Sequence, residues 1–86
     1  MTMSQTIEHK LTQELDPSYL LVRDDSHLHE GHAGHRPGGE SHFYVEISAG
    51  ALENLSRVKQ HQVVYRVLAE ELKGPIHALQ INVVKD

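Results

Sequence analysis

The stretch SHFYVEIS, residues 41–48, alternates polar and apolar side chains and decides the fold class. Three apolar residues fall on one side of an extended chain: Phe43, Val45 and Ile47. Three polar residues fall on the other side: His42, Tyr44 and Glu46. A period of two residues is typical of a β-strand with one buried face. We therefore predict a half-buried strand here, so the rest of the chain must supply neighbouring strands and a cover for its apolar face.

The residues before this strand predict a helix and then a first strand. Between residues 4 and 15 the apolar side chains recur at every fourth position, which predicts a helix with one narrow apolar stripe. These side chains are Ile7, Leu11 and Leu15. Asp16 and Pro17 end the helix, because the residue before a proline is sterically excluded from the helical region. The segment SYLLVRD, residues 18–24, is rich in Tyr, Leu and Val and predicts a short strand.

The residues after the central strand predict a longer helix and a third strand. Residues 49–55 predict a turn with a single helical turn, and Ser56 is a suitable N-cap for a helix over residues 57–74. The glycine–proline pair at its end stops the helix. The segment IHALQINVV, residues 76–84, alternates again and predicts a strand. Its inward positions are Leu79, Ile81 and Val83.

These elements follow the order α-β-β-α-β, with a short extra helical turn before the long helix. The order predicts a small α+β domain, in which two helices cover one face of a three-stranded mixed sheet. A chain of 86 residues buries only about 60–65% of its unfolded surface, so one domain with one modest core is expected over residues 1–86. We expect residues 1–5 to be frayed and residues 25–40 to form one long loop.

Composition excludes several classes of protein. The chain has no cysteine and a formal charge of −4 at pH 7. It therefore has no thiolates for a zinc ribbon or an iron–sulfur cluster, and it is a poor non-specific binder of nucleic acid. No apolar run approaches the roughly 20 residues that cross a bilayer, and no secretory signal is evident. We expect a cytoplasmic protein without membrane contact. No residue pattern indicates catalysis, so we predict that it is not an enzyme.

The predicted loop over residues 25–40 combines glycines with four histidines. The histidines are His27, His29, His32 and His35. Neutral imidazole is a good ligand for iron, zinc, copper and nickel, and loops longer than about 12–15 residues are usually functional or disordered. Two interpretations therefore stay open: a metal-linked loop, which includes binding of Zn, Ni or Cu by the loop alone, and a solvated insertion in which histidine is only a polar residue.

His77 is the candidate rigid anchor for such a loop. Ordering mobile residues around an ion costs conformational entropy, so one fixed imidazole helps. If the third strand runs parallel to the second, His77 lies at the same edge of the sheet as the loop. Taken alone, a histidine on an apolar strand face is more often a packed core residue, so both roles stay open. For His42, at a strand start, structural hydrogen bonding is at least as good an interpretation as ligation.

The long helix begins with a group of basic side chains: Arg57, Lys59, His61 and Arg66. Their position after a short helical turn suggests a helix-turn-helix that contacts DNA. Neighbouring glutamates and the lack of a base-reading face instead favour structural use or docking to a protein. Arg57 and Lys59 also suit an acidic partner or the carboxylates of glutathione. His61 lies on the apolar stripe and is most simply a partly buried packing residue.

Several segments together resemble the BolA family. They are ESHF at residues 40–43, RVKQHQVVY at residues 57–65, LAEEL at residues 68–72 and PIHAL at residues 75–79. The similarity extends over nearly the whole chain, from Ile7 to Val84. It implies a KH-like fold of the class II type, which agrees with the element order predicted above.

The resemblance also implies a partner and a cofactor. BolA proteins bind monothiol glutaredoxins of the CGFS kind, and a bridging [2Fe–2S] cluster is held by glutaredoxin cysteine, glutathione thiol and BolA histidines. The C-terminal ligand of the family matches His77, and the loop ligand matches His29 or His32, with His27 and His35 less well placed. The implied function is a non-enzymatic adaptor in iron–sulfur trafficking or iron sensing, monomeric or weakly dimeric when alone. Some BolA proteins are described as DNA-binding transcriptional regulators, so DNA contact through the helix around residues 57–66 stays open.

Overall fold

The computed structural model describes residues 2–25 and 42–85 of the chain. Its helices are α1 (Met3–Leu15), α2 (Arg57–Val67) and α3 (Ala69–Lys73), and its strands are β1 (Tyr19–Asp24), β2 (His42–Ser48) and β3 (Ala78–Val83). A short 3₁₀ turn over Gly50–Leu52 precedes α2. The α-β-β-α-β order is thus confirmed, with the long helix divided in two. In the two described ranges, no helix is long and apolar enough to cross a membrane.

The three strands form one mixed sheet in the order β1-β2-β3, as predicted. β1 runs antiparallel to β2, with Asp24 opposite Phe43. β2 runs parallel to β3, with His42 opposite Ala78. The end of β1 and the starts of β2 and β3 therefore lie at the same end of the sheet. We call this end the rim, and it comprises Asp24, Asp25, His42, His77 and Ala78.

One face of the sheet packs against the helices and forms the core. Alternate residues of β2 point inward and are almost fully buried: Phe43, Val45 and Ile47. The helices and the residue between α2 and α3 add fully buried side chains to the same cluster: Ile7, Leu11, Val64 and Leu68. On the opposite face of the sheet, Tyr19 and Leu21 remain 42% and 38% exposed. The predicted period-two and period-four patterns thus identify the core correctly.

The N-terminal helix begins one residue earlier than predicted, and its first turn is capped. The Thr2 hydroxyl accepts a hydrogen bond from the Gln5 N–H at 3.2 Å, and the Gln5 side chain accepts one from the Thr2 N–H at 2.9 Å. This reciprocal pair is a capping box, which satisfies two backbone donors that the helix itself leaves free. The helix thus begins inside the segment 1–5 that the sequence predicts to be frayed, with Thr2 as its N-cap.

The long helix predicted over residues 57–74 is interrupted at Leu68, whose φ of −102° and ψ of 19° are not helical. No glycine or proline signals this break, and the surrounding leucine and alanine are strong helix formers. The Leu68 side chain is fully buried, and its N–H still bonds to the Val64 carbonyl at 3.1 Å. We therefore attribute the break to packing of Leu68 in the core, which overrides local propensity.

An ion pair between a buried glutamate and a half-buried lysine joins α3 to α1. Glu71 is buried, and its Oε2 lies 2.7 Å from the Nζ of Lys10. The hydrogen bond to Glu71 raises the pKa of Lys10 above its ordinary value. Within the described part of the chain, the other carboxylate oxygen of Glu71 has no hydrogen-bond partner. The charge on Glu71 therefore depends on Lys10 for compensation.

Candidate metal-ligand site at the rim of the sheet

His77 lies at the rim, directly before β3, and its side chain is exposed. The preceding residue, Ile76, is buried, and its N–H donates to the Glu71 carbonyl at 3.0 Å. Because this bond ties Ile76 to the end of α3, the strand begins at Ala78 and not at the predicted Ile76. The interpretation of His77 as a packed core residue is therefore wrong. An exposed imidazole on a fixed backbone is instead well suited to bind a metal.

His42 lies beside His77. Their ring centroids are 6.2 Å apart, and the two ring planes differ by only 15°. His42 is half-buried and opens β2, where it pairs with Ala78 in the parallel register. One imidazole from the start of β2 and one from the residue before β3 therefore lie side by side at the rim. The sequence alone does not link His42 to His77, because their proximity depends on the parallel pairing of β2 with β3.

Asp25 completes the rim on the side of β1. Its side chain is buried, and its backbone N–H donates to the His42 carbonyl at 2.8 Å. The Arg23 guanidinium binds both carboxylate oxygens, with Nε–Oδ1 at 2.6 Å and Nη2–Oδ2 at 3.1 Å. The hydrogen bond to Asp25 raises the pKa of Arg23. This bidentate pair compensates a buried carboxylate and fixes the backbone that leads into the rim.

The loop histidines named above, His27, His29, His32 and His35, lie outside the described residues. The described residues that flank this stretch, Asp25 and His42, both lie at the rim, at the same end of the sheet as His77. The parallel pairing that the hypothesis required of the third strand is therefore present. Along residues 2–25 and 42–85, no three histidine, aspartate or glutamate side chains are grouped so that they could hold a metal ion.

The imidazoles of His42 and His77 fit a metal or cluster site that takes nitrogen ligands. Imidazole binds iron, zinc, copper and nickel, and two histidines on one iron are the ligands of Rieske-type [2Fe–2S] centres. The chain has no cysteine, so thiolate ligands have to come from another molecule. The rim can therefore complete a shared metal site, but it cannot build a cluster site from its own side chains.

A hydrogen-bond network covers the open face of the sheet next to the rim. The Tyr44 hydroxyl and the Tyr19 hydroxyl both donate to the Glu46 carboxylate, the latter at 2.9 Å. These bonds, that from Tyr44 first, lower the pKa of Glu46 below its ordinary value. The Arg23 guanidinium carbon lies 4.6 Å from the centroid of the Tyr44 ring, which is cation–π geometry. Arg23 thus links this network to Asp25 at the rim.

The basic side chains predicted as one group on α2 lie on two sides of the helix. At about 100° per residue, Lys59 and Arg66 point one way, and Arg57 and His61 point the other. His61 is half-buried, as predicted, and its ring meets the Tyr65 ring edge-on with centroids 6.4 Å apart. The helix therefore presents these side chains as two separate pairs and not as one basic patch.

The two pairs border different grooves. Arg66 lines a groove with Lys10 of α1. Arg57 and His61 line a groove of about 250 Å³ beside residues 81–83 of β3. Residues 81–83 are near the far end of β3 from the rim, a distance of roughly 13–20 Å at about 3.3 Å per residue. The candidate contacts Arg57 and His61 are therefore separate from the candidate metal ligands at the rim.

Comparison with known proteins identifies relatives over almost the whole chain. The family model described as BolA-like protein matches residues 11–85. The DNA-binding transcriptional regulator BolA of Haemophilus influenzae is 38% identical over 82 residues, which cover 95% of this chain and 76% of that protein. Protein BOLA1, chloroplastic, of Arabidopsis thaliana is 43% identical over 77 residues, which cover 87% of this chain and 48% of that protein.

The fold matches solved structures equally well. The BolA domain of SufE1 from Arabidopsis thaliana superposes with a TM-score of 0.86 at 40% identity, covering 99% of this chain and 93% of that chain. The chain thus spans about half the length of the plant BOLA1 protein and nearly all of this domain.

Proposed function

We propose that this chain, which belongs to the BolA family, is an adaptor in iron–sulfur cluster trafficking or iron sensing. It binds a monothiol glutaredoxin and contributes histidine ligands to a [2Fe–2S] cluster that it shares with the glutaredoxin and glutathione. The observation that carries the proposal is the exposed imidazole of His77, held at the rim where the histidine-rich segment begins and ends.

Each ligand has a distinct source in this proposal. His77 supplies one imidazole nitrogen from a fixed strand end, and His29 or His32 supplies another, with His27 and His35 as further donors. The sulfur ligands come from the glutaredoxin cysteine and the glutathione thiol, because this chain has none. A reducing compartment such as the cytoplasm suits this chemistry, since the thiolate is the form of cysteine that binds metal.

The proposal is tested by mixing the protein with a cluster-loaded monothiol glutaredoxin and recording visible circular dichroism. Replacement of a thiolate ligand of the cluster by an imidazole is expected to change the spectrum. His77→Ala is expected to abolish this change. His61→Ala is the matched control, because His61 is also partly accessible to solvent but lies towards the other end of β3. An unchanged spectrum on mixing, or a full change with His77→Ala, would contradict the proposal.

DNA binding is a second candidate function, favoured by the relative from Haemophilus influenzae that is named a DNA-binding regulator. Lys59 and Arg66 are exposed and share one side of α2, where both can contact a phosphate backbone. Lys59→Ala and Arg66→Ala are expected to weaken salt-dependent gel shifts, whereas Arg57→Ala on the other side is expected to have little effect. Absence of a shift near physiological salt would contradict this function.

A further inference from the structure

We propose that His42 and His77 together form a two-imidazole site for one transition-metal centre, so that His42 is a metal ligand and not only a structural residue. The ligand class is a divalent ion of borderline softness, such as Cu²⁺, Ni²⁺ or Zn²⁺. In the glutaredoxin complex His42 takes the second histidine position on the cluster, in place of His29 or His32, and this biological role rests on the function proposed above. The site itself needs only residues of the described sheet.

The distance between the two rings suits a shared metal. Two imidazole nitrogens bound to one tetrahedral ion at about 2.0–2.1 Å lie about 3.3 Å apart, which places the ring centroids about 5 Å apart. The observed centroid separation is 6.2 Å. The rings are stacked with nearly parallel planes, so one ring has to turn as well as approach by about 1 Å before both nitrogens face one ion. Rotation of the exposed His77 side chain provides such a movement.

The backbone of both residues is already ordered. The His42 carbonyl accepts the Asp25 N–H at 2.8 Å, and His42 pairs with Ala78 in the sheet. His77 lies between Ala78 in β3 and the buried Ile76. Metal binding at these two residues therefore requires ordering of side chains only, which costs far less conformational entropy than ordering a loop.

The charges near the rim also permit a cation. Arg23, the basic residue closest to the rim along β1, is paired with both oxygens of Asp25 and stacks on Tyr44. Its positive charge is thus compensated locally. Because the described residues offer no group of three donors, two imidazoles leave the remaining coordination positions open for ligands from a partner.

The test uses the full chain with its four loop histidines replaced by asparagine, so that they do not compete for metal. Cu²⁺ alone is titrated into this protein, and binding is followed by electron paramagnetic resonance and by competition with a chelator. One ion is expected to bind with two equatorial nitrogens. His77→Ala and His42→Ala are each expected to weaken binding at least about tenfold, a change of about 1.4 kcal/mol. His61→Ala is the control and is expected to have no effect.

A second variant of His42 distinguishes a packing role of its ring from a role as a metal ligand. His42→Phe keeps a flat ring against His77 but removes the nitrogen, so it is expected to fold like the parent and still lose Cu²⁺ affinity. The site would be overturned if His42→Phe bound Cu²⁺ with the parental affinity. It would also be overturned if His61→Ala lost as much Cu²⁺ affinity as the His42 and His77 variants.

The same variants in the glutaredoxin complex separate this inference from the proposed function. Loss of the dichroism change with His77→Ala but not with His42→Phe would retain the function and overturn the role of His42. A Cu²⁺ site that needs both histidines, together with no spectral change on adding cluster-loaded glutaredoxin, would overturn the function and retain the site. The proposal expects His77→Ala and His42→Phe each to lose both Cu²⁺ affinity and the dichroism change.

Discussion

The backbone N–H of Asp25 donates a hydrogen bond of 2.8 Å to the carbonyl oxygen of His42. This bond joins the end of β1 to the start of β2, and the parallel pairing of β3 adds His77 at the same end of the sheet. The histidine-rich stretch between Asp25 and His42 is thus attached at both of its ends to the rim that carries His77. A fixed strand end is a better support for a metal ligand than a loop is, because its backbone is already ordered.

Two valines on α2 test the assignment of the core. Val64 is fully buried, whereas Val58 is 67% exposed. Val64→Ala is expected to lower the free energy of unfolding by about 2–3 kcal/mol, since it removes two buried carbon groups and leaves a cavity. Val58→Ala is expected to change it by no more than about 0.5 kcal/mol. Urea unfolding followed by far-ultraviolet circular dichroism measures both, and equal losses would contradict the assignment.

The hydrogen bonds to Glu46 predict how stability depends on pH. Because the folded protein lowers the pKa of Glu46 below its ordinary value of 4.5, the ionised carboxylate stabilises the folded state above about pH 4.5. That contribution is lost as the pH falls through the folded-state pKa. Tyr44→Phe removes the main cause of the shift, so it is expected to lower the melting temperature at pH 7 and to have less effect in acid.

Thermal unfolding of the parent and Tyr44→Phe between pH 7 and pH 3 measures this difference. Tyr65→Phe, on α2, is the control and is expected to show no such pH dependence. If the melting temperatures of the parent and Tyr44→Phe differ by the same amount at every pH, the Tyr44 hydroxyl does not lower the pKa of Glu46.

The ion pair between Lys10 and Glu71 is expected to act as a unit. Lys10→Met leaves the buried Glu71 carboxylate without its cation and should lower the midpoint of urea unfolding clearly. In a Glu71→Leu background the same substitution should have little effect, because no buried charge remains. A double-mutant cycle measures the coupling. Equal effects of Lys10→Met in the two backgrounds would show that the pair contributes nothing.

The parts of the fold that depend on local patterns follow from the sequence. The alternation in β2 and the four-residue spacing in α1 each identify buried faces without knowledge of any partner element. The capping box was also present in the sequence as Thr2 and Gln5, three residues apart, and a search for this pattern would have placed the helix start correctly.

The parts that depend on distant contacts do not follow from the sequence. The break at Leu68 arises in a run of good helix formers, because packing in the core decides the backbone there. The start of β3 depends on whether the Ile76 N–H bonds to a helix or to a strand. The proximity of His42 and His77 requires that β2 and β3 run parallel, which periodicity alone does not determine.

Ligation of the cluster by His77 has a direct spectroscopic signature. The protein is labelled with nitrogen-15 histidine, combined with cluster-loaded glutaredoxin and glutathione, reduced, and studied by pulsed electron paramagnetic resonance. We expect strong hyperfine coupling from nitrogen-15, reduced in His77→Ala by the loss of one ligand nitrogen and retained in full in His61→Ala. A complex that shows no such coupling, or that keeps it unchanged in His77→Ala, would contradict the role proposed for the rim.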